Sequence, residues 1–263
     1  LNGGVAGVAI ATVVSRLTNL LIVSISGHVL VHAKDHPERI ANKEVFAKII
    51  KIGLPSAAES MLYNIAMTLT IRFLNQMDPE GINVTARSYA TQIANFSYCI
   101  GAALASANAI MTGWFIGAKE YDKCDRQTKK AALIGVAVGA SVEALLALSA
   151  PVTVGWFTND LEMIKLVQTL LTIDIALECG RVTNLIFVQS LKTSGDALFT
   201  TIMGVIFMFL CMVGGTWFFG IHLGMMAVGA YIGMALDECV RAVCMFFRWQ
   251  SGKWRGKGLV HNG

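Results

Sequence analysis

Nine ionisable residues interrupt stretches that are otherwise apolar: Arg16, Glu59, Glu143, Asp174, Glu178, Arg181, Asp237, Glu238 and Arg241. Their spacing is ordered. Asp174, Glu178 and Arg181 stand at i, i+4 and i+7, so they share one face of a helix, and Asn184 continues that stripe. Asp237 and Arg241 are four apart, and Glu238 and Arg241 three apart. Two helices thus present similar acid–arginine clusters, the chemistry of a site that binds cations and protons. The structural alternative is a set of self-neutralising pairs that lets the helices insert and lock together. Glu59 differs. It follows Gly53-Leu54-Pro55, and its nearest base in sequence, Lys51, lies two turns back. A carboxylate with no cation on its own helix turn suits proton exchange or the holding of a metal cation. The alternative is a hydrogen bond to a backbone carbonyl or a pair with an arginine of another helix. Pro55 has no N–H, so a kink or break is expected beside Glu59, and irregular backbone at membrane depth lines cavities. Tyr63 and Asn64 follow on the same helix, as helpers or as packing polar groups. Glu143 and Asp174 look solitary at mid-span, and Arg16 has no partner in sequence.

The chain around these charges is not that of a soluble domain. Of 263 residues, 55% are hydrophobic and only 14% charged, with 25 glycines besides. Soluble domains carry about 25% charge. Mean hydropathy is +0.60. Disorder, a disulfide scaffold and a nucleic-acid-binding domain are excluded on the same grounds, and the net charge of +4 is small. A helix crosses a bilayer with about 20 apolar residues. Seven runs qualify: Gly4–Val31, Ile52–Leu74, Ala90–Ile116, Ala131–Val154, Leu161–Val188, Ala197–Phe219 and Leu223–Phe247. None alternates with period two, which argues against a membrane barrel. Asp78-Pro79-Glu80-Gly81 signals a turn, Pro151 closes the fourth run and Ser194-Gly195-Asp196 opens the sixth. The longest connection, from His32 to Lys51, holds Pro37 and many charges.

Charge placement supports the seven spans. With the C-terminus assigned to the cytoplasm, the cytoplasmic segments hold Lys34, Arg39, Lys43, Lys48, Lys51, Lys119, Lys123, Arg126, Lys129, Lys130, Lys192, Arg248, Lys253, Arg255 and Lys257, fifteen of the 21 basic residues. The other side has Arg72, Arg87 and Lys165 at its span ends, and Asp78, Glu80, Asp160 and Glu162 in its loops. That is the positive-inside bias, repeated loop after loop. Trp114, Trp156, Trp217, Trp249 and Trp254 all fall at expected interfaces, where indole rings settle. A charge inside a span costs about 2.5–3.5 kcal/mol at the helix centre, so such residues turn to a protein interior or a watery cavity.

Weaker signals carry less. His28, His32 and His36 have metal-ligand spacing only if their helix continues, and read better as interface histidines. The six cysteines show no CxxC, and all but Cys124 fall in spans, as packing residues. The twelve methionines read as core filling. The small residues Gly101-Ala102-Ala103-Leu104-Ala105-Ser106-Ala107 let helices approach closely. No phosphate loop, dinucleotide fingerprint or nucleophile elbow is present.

Three stretches, taken in order, resemble the multidrug and toxic compound extrusion (MATE) family. The first is Gly53-Leu54-Pro55 leading to Glu59. The second is the small-residue helix from Gly101 ending Gly113-Trp114-Phe115-Ile116-Gly117-Ala118-Lys119. The third runs from Leu191-Lys192-Thr193-Ser194-Gly195-Asp196 through Gly220-Ile221-His222-Leu223-Gly224 to Asp237-Glu238 and Arg248-Trp249. The resemblance implies an all-α membrane fold of twelve helices in two halves. This chain would supply the sixth helix and the whole C-terminal half. Residues 1–31 are then the last helix of the N-terminal bundle, 32–51 a cytoplasmic linker, 52–248 the C-terminal six-helix bundle and 249–263 a cytoplasmic tail. The absence of a Met or a basic leader at Leu1 agrees with a piece of a longer protein. The implied activity is antiport: export of organic cations and drugs in exchange for H⁺ or Na⁺ by alternating access, with no cofactor beyond the coupling ion. The implied partners are the lipid bilayer, the missing N-terminal bundle and a small cationic substrate, in the plasma (inner) membrane. Glu59 matches a glutamate of the family's seventh helix in role. The tenth-helix carboxylate does not align cleanly: Arg181 falls near that position, with Glu178 one turn earlier. The coupling or substrate site is therefore expected at Glu59, then at Glu178, Arg181, Asn184 and Asp174, then at Asp237, Glu238 and Arg241. A flippase for lipid-linked sugars is the nearest alternative. An intramembrane metalloprotease lacks the embedded histidines it needs, and a retinal-type receptor lacks a lysine in the last span.

Overall fold

The protein, seen in a computed structural model that describes residues 4–30, 43–78 and 80–257, is built of helices, with no strand among the described residues. They are α1 (Gly4–Leu30), α2 (Lys43–Met77), α3 (Ile82–Gly117), α4 (Tyr121–Gly155), α5 (Leu161–Thr193), α6 (Ala197–Phe207) and α7 (Met226–Gln250). Two π-helical segments, Met208–Val213 and Thr216–His222, prolong α6. Each of the seven expected spans is a helix. Most overrun their expected bounds, because backbone hydrogen bonding continues past the apolar stretch. Helix α2 begins at Lys43, so part of the expected 32–51 linker is helical. The rest of that linker, the end of the 249–263 tail, and the histidine trio (His32, His36 and the side chain of His28) lie outside the described residues.

Two local expectations are corrected. Helix α2 runs unbroken through position 55, with no break beside Glu59: one missing hydrogen bond does not outweigh the turns on either side. Pro151 does not close α4, which continues to Gly155. The hydroxyls of Ser149 and Thr153, which flank it, donate to the preceding backbone carbonyls of Leu146, Ser149 and Ala150, as happens around prolines in membrane helices. The widened π turns of α6 had no sequence signal.

The chain divides into two compact units, Leu1–Phe46 and Ala47–Gly263. In the first, α1 exposes apolar side chains such as Ile10, Leu17, Leu20 and Ile25. Four helical stretches are long and apolar enough to cross a membrane: Ala9–Gly27, Ile82–Gly117, Tyr121–Gly155 and Ala197–His222. The other three helices, α2, α5 and α7, are those that carry most of the intramembrane charges.

In the second unit, α5 is the axis, packed by α3, α4 and α7. It starts where Asp160 caps it, its carboxylate accepting from Glu162 N at 2.9 Å. Buried residues recur along it from Met163 to Leu191, and only Lys165, Thr169, Thr172 and Ala176 form an exposed stripe in its first half. The core lies in layers. One apolar cluster gathers Leu74, Ala90, Ala147, Leu170, Leu177 and Tyr231. A second gathers Ala105, Val182, Ile186, Phe187, Met245 and Trp249. Along every core helix, the residues between these layers are polar or small: Ser97 and Gly101 on α3, Gly139 and Glu143 on α4, Glu178 on α5, Asp237 and Arg241 on α7. The charges thus form a waist. Outside, Phe96, Ile110, Leu133, Leu148, Leu198 and Val243 are exposed, an apolar surface of the kind lipid covers.

Close helix approach makes the waist. A methyl on Gly180 would come within 2.8 Å of the backbone nitrogen of Cys239, so α5 and α7 pack backbone against backbone. At Gly101 the side chain of Val182 of α5 fills the space of the missing Cβ, so α3 also packs closely, as its small-residue run implied.

Tryptophan placement is half corrected. Trp114 and Trp156 are 74% and 77% exposed at helix ends, and Trp217 is also exposed. Trp249 and Trp254 are buried and stacked, ring centroids 4.1 Å apart. The indole of Trp249 donates to Asp125 and that of Trp254 to the carbonyl of Trp249. The start of the expected tail is therefore folded onto the bundle. Asp196, before α6, anchors it, accepting from Arg248 at 2.7 Å and from Lys257 at 2.6 Å. Gly195 has φ +90°, and the carbonyl of Lys257 fills the space of its missing Cβ. Burial opposes the charged form of Asp196, but hydrogen bonds and charge from Arg248 and Lys257 outweigh it and hold the carboxyl below the usual aspartate range. The contribution is complete above the unfolded aspartate value and is lost as pH falls through the folded one. Asp196→Asn is expected to release residues 251–257, weakening this end by about 1–3 kcal/mol. Faster tryptic cleavage after Arg255 and a red-shifted tryptophan emission would register it; an unchanged cleavage rate would show that stacking alone holds the segment.

Candidate functional site

Inside the second unit is a cavity of about 610 Å³, within the ~300–1,000 Å³ of small-molecule sites. Four helices contribute stripes. Glu59, Tyr63 and Met67 come from α2; Thr91, Asn95 and Tyr98 from α3; Asp174, Arg181, Asn184 and Lys192 from α5; Tyr231, Glu238 and Arg241 from α7. From Asp174 to Lys192 the α5 stripe rises about 27 Å at ~1.5 Å per residue, nearly a bilayer core.

Six of the eight expected site residues line this cavity: Glu59, Asp174, Arg181, Asn184, Glu238 and Arg241. Glu178 and Asp237 do not. They are buried behind its wall, since i+4 on the tightly packed α5 points toward α3 and α4 rather than into the open space.

The charged side chains form one network. Arg181 lies 2.9 Å from Glu178 and 3.8 Å from Asp174, with the Tyr98 ring 5.7 Å from its guanidinium. One terminal nitrogen of Arg241 serves Asp237 at 2.7 Å and Glu238 at 2.8 Å. The other oxygen of Glu238 accepts from the Asn184 amide at 2.9 Å, which ties α7 to α5. The paired-charge alternative therefore describes real contacts, but it is incomplete. Asp174 Oδ2, Glu178 Oε1, Asp237 Oδ1 and both oxygens of Glu143 are buried without a hydrogen-bond partner among the described residues. Glu59, Glu143, Asp174, Glu178, Asp237 and Glu238 stand against Arg87, Arg181, Lys192 and Arg241, so carboxylates outnumber cations.

Glu59 is not alone. Its Oε2 lies 2.8 Å from Lys192 Nζ and accepts from the Thr201 hydroxyl at 3.2 Å. The partner is a lysine that the sequence placed in a cytoplasmic loop. Helix α5 runs on to Thr193, so Lys192 ends the Arg181, Asn184, Val188 stripe at helical spacing, a signal that could have found it. Glu143, solitary in sequence, has Asp174 and Glu178 beside it. Arg87, expected at a span end, is buried in α3 with a terminal nitrogen 3.6 Å from the Met67 sulfur. The cavity residues that the expected site omitted include Tyr98, Gln189 and Tyr231. Outside the membrane-spanning helices, Asp78 sits in the α2–α3 turn. The backbone N–H of Asn83 bonds it and holds its carboxyl below the usual range, closing that end.

The profile of the MatE family matches residues 55–234. Among curated proteins, the chain is 31% identical over 259 residues to the uncharacterized transporter YisQ of Bacillus subtilis (strain 168), covering 98% of this chain and 56% of that protein. It is 21% identical over 212 residues to the probable multidrug resistance protein YoeA of the same organism, covering 77% and 44%. Among solved structures, a crystal structure of MATE in the straight conformation superposes with TM-score 0.76 at 23% identity, over 95% of this chain and 56% of the other. An outward-facing multidrug resistance MATE family transporter of the MOP superfamily gives 0.79 at 21% identity, over 95% and 57%. The chain thus spans about half the length of the curated relatives it matches.

The network predicts how Arg181→Ala fails. Asp174 and Glu178 would be left in the wall without their guanidinium, a loss of about 3–5 kcal/mol for a broken buried pair. Folded yield in the membrane is expected to fall more than substrate affinity, and Arg181→Lys to recover part of it. Normal yield with lost binding would make Arg181 a ligand residue instead.

Proposed function

The chain belongs to the MatE family of membrane transporters, and on that premise we propose that it forms the C-terminal half of a secondary active exporter of organic cations, driven by inward exchange of H⁺ or Na⁺. The cavity carries the reading. It is large enough for a drug-sized molecule, and its walls combine aromatic and apolar surface from Tyr63, Tyr98, Met67 and Met208 with the carboxylates of Glu59, Asp174 and Glu238, matched by Arg181, Lys192 and Arg241, while Glu143, Glu178 and Asp237 lie buried behind them. A cation entering it gains a counter-charge that the protein has already desolvated. An N-terminal bundle outside this chain supplies the facing half, and the two rock between inward-open and outward-open states. The basic loop ends face the cytoplasm, as does the C-terminus, and the membrane is the plasma (inner) membrane.

The Glu59–Lys192 pair sits at one end of the cavity and gives this reading a working part. A substrate cation or coupling ion that takes Glu59 displaces Lys192, so the same carboxylate serves the empty and the loaded state with different partners. Emptying α6 at Gly204 leaves room for it: a methyl there would come within 3.0 Å of Glu59 Oε1.

Glu59→Gln in the full-length protein is expected to abolish the drug resistance it confers, lowering gradient-driven transport roughly tenfold or more, equivalent to at least about 1.4 kcal/mol of lost coupling, with membrane expression intact. Proteoliposomes with pH and sodium gradients imposed separately would read this and identify the ion. Unchanged transport would remove Glu59 from the coupling site.

A further inference from the structure

Three carboxylates of the waist, Glu143, Glu178 and Asp237, do not line the cavity, and of these Glu143 has no ion pair among the described residues. Glu143 of α4 is fully buried, and neither of its oxygens has a hydrogen-bond partner among the described residues. Its surroundings are specific. From α5 it faces Asp174, Glu178 and Arg181; from α3 it faces only the hydroxyl of Ser97, which lies within reach without a well-formed bond. Glu238 of α7 acts on Asp174 and Glu178 from the far side, and Tyr63 of α2 on Arg181. Glycines shape the space. A methyl on Gly101 would come within 3.3 Å of Glu178 Oε1, and one on Gly139 within 3.5 Å of Glu178 Cγ. Ser97 donates to the carbonyl of Gly139 at 3.4 Å, holding α3 and α4 together around it.

Glu143 Oε1 and Oε2, Asp174 Oδ2 and Glu178 Oε1 are all buried and unpartnered. Arg181 is the one cation facing them, and it already serves Glu178 Oε2 and Asp174 Oδ1. Three ionised carboxylates around one guanidinium in a dry pocket repel one another strongly. A proton shared between two of the carboxyls relieves this and satisfies an orphan oxygen at once. No three His, Cys, Asp or Glu side chains among the described residues converge with the geometry of a metal site. Asp174 connects the two spaces, since it lines the cavity and borders Glu143.

We propose that Glu143 is a proton-storage residue of the transporter, exchanging its proton with the cavity through Asp174. This rests on the cavity being the site of cation transport. In the empty state Glu143 is a carboxylic acid and Asp174 a carboxylate bordering Arg181. When an organic cation enters and the pair reorganises, Glu143 passes its proton to Asp174, leaving a Glu143 carboxylate near Arg181, and Asp174 releases the proton to cavity water. Reprotonation from the other side of the membrane reverses both steps and expels the substrate. Glu143 touches no substrate; it sets how many protons the cavity trades for one cation.

The test is titration calorimetry of the full-length protein with ethidium as the organic cation, in buffers of different ionisation enthalpy and at a series of pH values. Wild type is expected to release one proton per ethidium, so affinity rises by up to about tenfold per pH unit over the titration range. Glu143→Gln keeps the shape and the hydrogen-bonding capacity but stores no proton, so its proton release and its pH slope are expected to vanish. A merely structural glutamate would leave the proton count unchanged on substitution, and that result overturns the proposal. If the glutamine variant does not fold, infrared difference spectra of the wild type decide. Ethidium should remove a protonated-carboxyl band, and Glu143→Asp should shift it; no such band, or sodium release in place of protons, overturns the proposal. A wild type that does not bind ethidium removes the transport reading itself, whereas binding with the same proton count in both forms removes only the role of Glu143.

Discussion

A charge set among apolar helices must be solvated by something other than lipid. That constraint organises this protein. Asp174, Glu178, Arg181, Asp237, Glu238 and Arg241 are tolerated there because each arginine pairs with acids of its own helix, and the Asn184–Glu238 hydrogen bond joins α5 to α7. The glycines serve the same packing. Gly180 brings α5 and α7 together backbone to backbone, and Gly101 and Gly139 leave room for Val182 and Glu178 of α5. The apolar layers above and below the waist keep it dry at its edges, and the exposed Leu133, Leu148 and Val243 give the outside to the hydrocarbon. The result is a molecule whose polarity is inverted relative to a soluble protein.

Pairing is nevertheless not complete, and the proposed function rests on the remainder. Full neutralisation would give a rigid, insulating core. Here the acids exceed the bases, and several carboxylate oxygens are buried with no donor among the described residues. Such atoms are costly unless a ligand or proton completes them. The surplus is graded in depth: Glu59 at one end paired with Lys192, Asp174 and Glu238 in the wall, Glu143 and Glu178 behind it. A gradient from displaceable to sealed is what a site needs if it is to trade one positive charge for another without leaking.

The sequence made much of this legible, for stated reasons. Seven apolar runs and the loop-by-loop alternation of basic residues specify the helices, because a bilayer penalises exceptions to both. The i, i+4, i+7 stripe of Asp174, Glu178 and Arg181 specifies a shared face. It does not say which side of that face opens to the cavity: Asp174 and Arg181 line it while Glu178 is sealed, because the rotation of α5 is set by Gly101 and Gly139 on other helices. Lys192 was read as a loop residue because the apolar run ends at Val188, although the hydrogen-bonded helix continues to Thr193. Glu143 had no sequence partner, since its neighbours are some thirty residues away and meet it only through helix packing. Trp249 and Trp254 carried the usual interface signal, but folding of residues 251–257 over Asp196 buries them instead. Local periodicity was readable; the relative rotation of helices was not.

The central claim is that the charged waist opens to water while the opposite faces of the same bundle meet lipid. Single cysteines placed at Asn184, in the cavity wall, and at Leu148, 74% exposed on the outer surface, in a full-length protein whose native cysteines are replaced, test it directly with a charged, membrane-impermeant thiol reagent applied to each side in turn. The account predicts that position 184 reacts and is protected by an organic cation, and that position 148 stays inert. Reaction at 148 with none at 184 would mean that the charges are sealed away from water, and that no transported cation passes among them.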